Sequence, residues 1–279
     1  MKLSDVCDAG LKALKVGGVE DASFDCSCLF YDVFGVKRAE LFLRDGEARQ
    51  DKIDEFVSKI NMRVHGRPLQ YILGKWDFYD MTFFVGEGVL IPRPETETLV
   101  ELALAHIGER KGLRVFDLCT GSGCIGLTLA KKCPDCDFTL LDISPEALSY
   151  AEKNRAACAA ENVRIAEYDI RLGFEGLDTD DRPDVILSNP PYVPSGELPG
   201  LQREVRREPL LALDGGESGL DLYPVIAEKW LPWLSDGGFA AVECGEGQAE
   251  TIASLFSPCA DAEIVADVFG TERFVTLRK

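Results

Sequence analysis

From Leu113 onward, short apolar runs rich in β-branched residues alternate with stretches of helical periodicity, and few folds accept that order. The runs predict strands at Arg114–Leu118, Phe138–Asp142, Val163–Glu167, Val185–Ser188 and Phe239–Glu243. Helical spacing predicts Cys124–Lys132, Pro145–Ala160, Leu222–Leu234 and Gln248–Phe256 among them. Strands separated by helices imply a mostly parallel, doubly wound α/β sheet of the Rossmann-like kind, because parallel neighbours need a crossover between them. The last two runs, Glu263–Val268 and Phe274–Leu277, are joined only by a turn near Gly270. The final strand is therefore expected to run antiparallel.

Upstream the pattern differs. Val6, Leu11 and Leu14, then Leu29, Phe30, Val33 and Phe34, then Ile53, Phe56, Val57 and Ile60 recur at helical spacing, and glycines punctuate them. Residues 1–72 read as a small helical domain. Trp76, Phe78, Tyr79, Met81, Phe83, Phe84 and Val85 are aromatic and β-prone, with Gly86-Glu87-Gly88 as a turn before Val89-Leu90-Ile91. That predicts a β-hairpin linker over 73–92, with the α/β domain occupying 93–279. Pro94, Glu95 and Glu97 suit the first turn of a helix that continues through Leu99 and Val100.

Charge narrows the function. The formal net charge is −18, and it is unevenly placed: residues 76–279 hold 18 Lys and Arg against 36 Asp and Glu. Such a surface repels phosphate backbones, so no stable nucleic-acid partner is expected. The sequence shows no signal-peptide run and no membrane-length apolar stretch, which points to a cytoplasmic protein, expected as a monomer. Its ten cysteines then read as reduced thiols. Cys133 and Cys136 form a lone CxxC, and only His65 and His106 exist, so no metal site is expected.

Three motifs fall at predicted strand ends. Asp117-Leu118-Cys119-Thr120-Gly121-Ser122-Gly123 joins the first strand of the α/β domain to its helix, where glycines let backbone approach a ligand. With Gly126 it also satisfies G-x-G-x-x-G, which keeps a dinucleotide open. The next strand ends in Asp142, suited to ribose hydroxyls, or equally to a capping turn with Ser144 and Pro145. Tyr168-Asp169-Ile170 follows the third strand, with Asp169 placed to accept from an adenine amino group. The fourth strand runs into Ser188-Asn189-Pro190-Pro191-Tyr192. Its prolines fix an extended backbone and carry no N–H. The Asn189 amide oxygen and the Pro190 carbonyl can then accept both hydrogens of one planar –NH2 group, with Tyr192 flat against it. Asp117 gives S-adenosylmethionine an acid for its ammonium group, a task that a dinucleotide leaves undone. Three alternatives stay open: an N6-adenine nucleic-acid methyltransferase, a nicotinamide oxidoreductase, and a binding module that keeps the cofactor as structure.

Those residues, together with Arg67-Pro68-Leu69-Gln70-Tyr71-Ile72, Phe78-Tyr79, Val89–Glu97, Glu208-Pro209, Ala212–Gly216 and Arg273-Phe274-Val275, resemble the release factor glutamine methyltransferase family. The resemblance covers nearly the whole chain. It implies a class I methyltransferase fold preceded by a helical domain that helps bind release factors. It implies transfer from S-adenosylmethionine to the side-chain nitrogen of the Gln in a Gly-Gly-Gln motif of class I peptide chain release factors. It places the cofactor on the loop Cys119, Thr120, Gly121, Ser122 and Gly123, on Asp142, Asp169 and Ile170, and on Asn189. The catalytic and target-binding stretch is Asn189, Pro190, Pro191 and Tyr192. Two departures stand out: Cys119 where a glycine is common, and Ile170 where an aromatic often covers adenine.

Overall fold

The computed structural model describes residues 1–177, 179, 181–267 and 269–279. They form two compact units: Met1–Lys75 with Gln202–Arg207, and Trp76–Leu201 with Glu208–Lys279. The first unit contains α1 (Leu3–Val16), α2 (Ala22–Phe34), the single turn α3 (Leu41–Arg44), α4 (Gln50–Val64) and α5 (Leu69–Leu73). Helices α1, α2 and α4 pack together around buried Val6, Leu14, Leu29, Phe30, Phe56 and Ile60. Phe30 and Phe56 meet edge to face, with centroids 5.6 Å apart, an arrangement that the ring quadrupoles favour. Arg63 of α4 pairs with buried Asp25 of α2 and reaches Glu204 Oε1 at 2.6 Å. The segment from far along the chain is thus tied into this unit by an ion pair.

The second unit begins with a two-stranded sheet of β1 (Lys75–Phe78) and β2 (Met81–Phe84). The hairpin turn is Tyr79-Asp80, with Tyr79 at φ 58°, and not Gly86-Glu87-Gly88. Val89-Leu90-Ile91 forms no strand. The backbone N–H of Tyr79 donates to Glu97 Oε1 at 2.7 Å, which offsets part of the cost of the left-handed turn. Helix α6 (Glu97–Ile107) follows a 3-10 turn at Pro94–Thr96.

Seven strands make the main sheet: β3 (Arg114–Leu118), β4 (Asp137–Asp142), β5 (Val163–Glu167), β6 (Val185–Ser188), β7 (Phe239–Glu243), β8 (Asp261–Ala266) and β9 (Glu272–Arg278). Their order is β5-β4-β3-β6-β7-β9-β8. The five from β5 to β7 are parallel, and β9 runs antiparallel to both β7 and β8. This is the mostly parallel sheet with an antiparallel last strand that the pattern predicts. Val268, at the end of the predicted eighth strand, lies outside the described residues.

The remaining helices are α7 (Cys124–Lys132), α8 (Pro145–Cys158), α9 (Leu222–Lys229) and α10 (Ala249–Phe256). The helix predicted to reach Leu234 stops at Lys229 and gives way to a 3-10 turn at Leu231–Trp233. Pro232 explains the break, since it lacks the N–H that a continuing helix needs. One face of the sheet buries Phe78, Leu99, Val100, Leu127 and Phe138. The other buries Phe116, Ile186, Tyr223, Trp230 and Phe256. Each such side chain stabilises the fold by about 1.5–3 kcal/mol of transfer free energy. With both faces covered, the strand ends are where this sheet can meet a ligand.

Candidate active site

The chain winds outward through β3, β4 and β5, then returns to place β6 on the other side of β3. At such a reversal, the loops leaving the carboxyl ends of two neighbouring strands diverge and open a crevice. A cavity of about 610 Å³ lies there, lined by the loop after β3, by Asp142, by Tyr168–Arg171, by Asn189 and by Pro191. Leu90, Arg93 and Thr96 close one side, and Leu211, Ala212 and Leu220 another. The volume suits a ligand of cofactor size.

The glycine loop is built around two carboxylates. Asp117 is fully buried, and its Oδ2 accepts from Thr120 Oγ1 at 2.6 Å and from the Gly126 N–H at 3.1 Å. Its Oδ1 has no partner among the described residues. Burial raises the Asp117 carboxyl to about 7, against the pull of those two bonds. Asp142 Oδ2 accepts from the Gly121 N–H at 2.8 Å, and Oδ1 accepts from the Ser144 N–H at 2.9 Å. Ser144 in turn caps α8, accepting from the Ala147 N–H. Asp142, which lines the cavity, therefore holds both loops, and a carboxylate has acceptor capacity beyond these two bonds. Cys119 has φ 60°, so the position where glycine is common is left-handed here. A Cβ on Gly121 would meet nothing closer than Val89, at 4.0 Å.

Cys119, Thr120, Gly121, Ser122, Asp142, Asp169, Ile170, Asn189 and Pro191 all line the cavity. Gly123, Pro190 and Tyr192 adjoin lining residues without being among them. Ser122 is buried, and its hydroxyl has no partner among the described residues. The Asp169 carboxylate is engaged by the backbone N–H and guanidinium of Arg171, which hold its carboxyl below the usual range. Ile170 is buried against Trp230, whose indole N–H donates to the Ile170 carbonyl at 2.8 Å. Tyr168, two residues before Ile170, supplies an aromatic residue to the cavity lining.

Asn189 follows β6, and its Nδ2 donates to Thr96 Oγ1 at 3.2 Å. Thr96 Oγ1 donates to Glu243 Oε2 at 2.6 Å, and the Tyr192 hydroxyl donates to Glu243 Oε1 at 3.2 Å. Neither Thr96 nor Glu243 is visible as a site residue from local pattern. The one signal is that Glu243 ends the run Phe239–Glu243, in which every residue is buried. Tyr192, read from sequence as a ring face for the target, also has its hydroxyl tied to that carboxylate. Arg93 lines the cavity while paired with Glu208, which also accepts from the Ile91 N–H at 3.0 Å.

A glycine loop and an Asn-Pro-Pro turn facing one crevice at a strand reversal make this a methyltransferase of class I fold. The model of the Methyltransferase small domain matches residues 95–201, and that of the PrmC N-terminal domain matches residues 5–74. The chain belongs to the release factor glutamine methyltransferase family. It is 37% identical to the release factor glutamine methyltransferase of Thermodesulfovibrio yellowstonii, over 88% of this chain and 89% of that protein. It is 35% identical to that of Koribacter versatilis, over 100% of this chain and 99% of the other. The T. thermophilus 16S rRNA N2 G1207 methyltransferase, solved with AdoMet and guanosine, shares the fold at TM-score 0.54 and 18% identity, over 74% of this chain and 49% of that one.

Proposed function

We propose that this chain methylates the side-chain amide nitrogen of the glutamine in the Gly-Gly-Gln motif of class I peptide chain release factors, using S-adenosylmethionine. The carrying observation is Asn189, whose Nδ2 is engaged by Thr96 so that Oδ1 is left as the acceptor over the cavity. The cofactor supplies a methyl group made electrophilic by its sulfonium. The cavity fits it: Ser122 Oγ is a buried polar atom awaiting a partner, and Asp142 has acceptor capacity for ribose hydroxyls. The backbone at Gly121, Cys119 and Thr120 lies where a polar tail can approach closely, and Ile170 gives an apolar wall for adenine.

An amide nitrogen is a poor nucleophile because its lone pair is delocalised. Asn189 Oδ1 and the Pro190 carbonyl, each accepting one amide hydrogen, fix the nitrogen in line, and positioning supplies most of the acceleration. The displaced proton leaves to water, and no side chain is assigned as general base. The first unit helps bind the release factor, and the chain works in the cytoplasm as a monomer. Among the described residues no helix is long and apolar enough to cross a membrane.

Methyl transfer from labelled cofactor to purified release factor, with DNA as control, tests this reading. Label is expected on a glutamine nitrogen by fragment mass spectrometry, and Asn189→Ala is expected to lower the rate about a hundredfold. A release factor with Gln→Glu in the motif should accept no methyl group. Label on DNA or on another residue would overturn the assignment.

A further inference from the structure

Glu243 lies outside the cavity, yet it controls a side chain that lines it. The geometry points to Glu243 as a positioning residue for methyl transfer, setting through Thr96 which end of the Asn189 amide faces the substrate. This rests on the function proposed above. A threonine hydroxyl has one hydrogen. Where Thr96 Oγ1 gives it to Glu243 Oε2 at 2.6 Å, the oxygen can only accept from Asn189, so Nδ2 must be the end that turns to Thr96. Oδ1 then serves the substrate –NH2 group. Tyr192, donating to Oε1, holds the carboxylate from its other side. The polarity of the chain Asn189, Thr96, Glu243 is thus fixed by an acceptor-only group at its buried end. Were Oε2 to carry a proton, it would donate to Thr96, and the Thr96 hydrogen would be released toward Asn189. The amide then has reason to turn, presenting donors to a substrate group that itself offers only hydrogens.

Glu243 is buried at the end of β7 and is faced from several elements. Thr96 and Glu95 come from the 3-10 turn before α6, Tyr192 from the loop after β6, and Arg273 from β9. Cys124 of α7, neighbouring Cys244 and Tyr223 of α9 also feel its charge, and the Tyr223 hydroxyl donates to the Glu243 carbonyl. Burial raises its carboxyl to about 7; Thr96, Tyr192 and Arg273 oppose the rise and Glu95 adds to it. The carboxylate form is therefore lost as pH falls through neutrality, and turnover should be lost with it.

The test uses the full chain with purified release factor, following kcat and KM from pH 5.5 to 8.5, and measures S-adenosylmethionine binding by calorimetry. The unaltered enzyme is expected to lose kcat at least tenfold toward pH 5.5. Glu243→Ala should lower kcat tenfold to a hundredfold at pH 8.5 while cofactor Kd changes less than threefold. Glu243→Gln, whose amide oxygen can still accept from Thr96, should recover much of that loss and flatten the pH profile. Thr96→Val should resemble Glu243→Ala, which keeps the test decisive if the alanine variant does not fold. A Glu243→Gln profile falling like the parent's, or unchanged kcat in Glu243→Ala, would overturn the positioning role while transfer by the parent enzyme left the proposed function standing. Failure of the parent to modify a glutamine would remove both.

Discussion

Cys119 holds a left-handed backbone that costs an ordinary side chain roughly 1–2 kcal/mol. It follows Leu118, the last residue of β3, and the chain must turn there to bring the Thr120 N–H onto the Leu141 carbonyl at 3.0 Å. Glycine removes the strain but adds freedom to the unfolded chain, and the two effects nearly cancel. Cys119→Gly is therefore expected to change stability by less than about 1 kcal/mol, whereas β-branched Cys119→Val should lose roughly 2 kcal/mol or more. Urea unfolding of both variants checks this, and a valine as stable as the parent would refute the strain. At this scale the loop was legible, because its residues are consecutive and their types suit a turn against a ligand. Thr96 and Glu243 were not: they are 147 residues apart in sequence and meet only once the strands are assembled.

At the scale of elements, the strand ends were readable because apolar runs stop at polar residues, as at Asp142, which lines the crevice, and Ser188, which precedes Asn189. The hairpin falls within the expected 73–92, but its turn is Tyr79-Asp80, while Gly86-Glu87-Gly88 turns without joining two strands. A Cβ on Gly86 would stand 2.2 Å from the Tyr150 hydroxyl, so that glycine serves contact with α8. The path after Tyr192 was also closed to local reading. Val193 exchanges backbone bonds with the returning segment: its N–H donates to the Leu213 carbonyl and its carbonyl accepts from the Gly215 N–H, each at 2.9 Å. A Cβ on Gly215 would lie 2.7 Å from the Pro191 carbonyl oxygen and 2.8 Å from Tyr192 Cα, where only backbone can give way. Gly215→Ala should thus displace the Asn-Pro-Pro-Tyr turn, costing about 1–3 kcal/mol of stability. Methyl transfer should fall much more than cofactor affinity, and equal losses in both would show that the brace acts elsewhere.

For the molecule as a whole, the buried acids make stability depend on pH in an unusual direction. Asp117 moves from an ordinary 3.8 to about 7 through burial, so the folded state binds more protons than the unfolded one between those values. The linked stability is present below pH 4 and is lost as pH rises to 7. A shift of that size in a fully buried group corresponds to roughly 2–4 kcal/mol. Asp117→Asn keeps the shape without the titration, so its stability relative to the parent should rise from pH 5 to pH 8. Thermal unfolding of the cofactor-free proteins at both values decides it, and a difference independent of pH would place the ionisation elsewhere.

The segment Gln202–Arg207 has a consequence for how the protein is made. Arg63 is synthesised early, but Glu204, its second carboxylate, follows 141 residues later. A ribosome adding about 5–20 residues per second needs roughly 7 to 28 seconds to supply it. Until then the first unit can pair Arg63 only with Asp25, and it lacks the segment Gln202–Arg207 that completes it. The helical unit is thus drawn from two separate stretches of the chain. A graft onto another enzyme would have to carry both pieces to keep the Arg63–Glu204 pair, and the nascent chain should gain further protease resistance in this unit once residue 207 has cleared the exit tunnel.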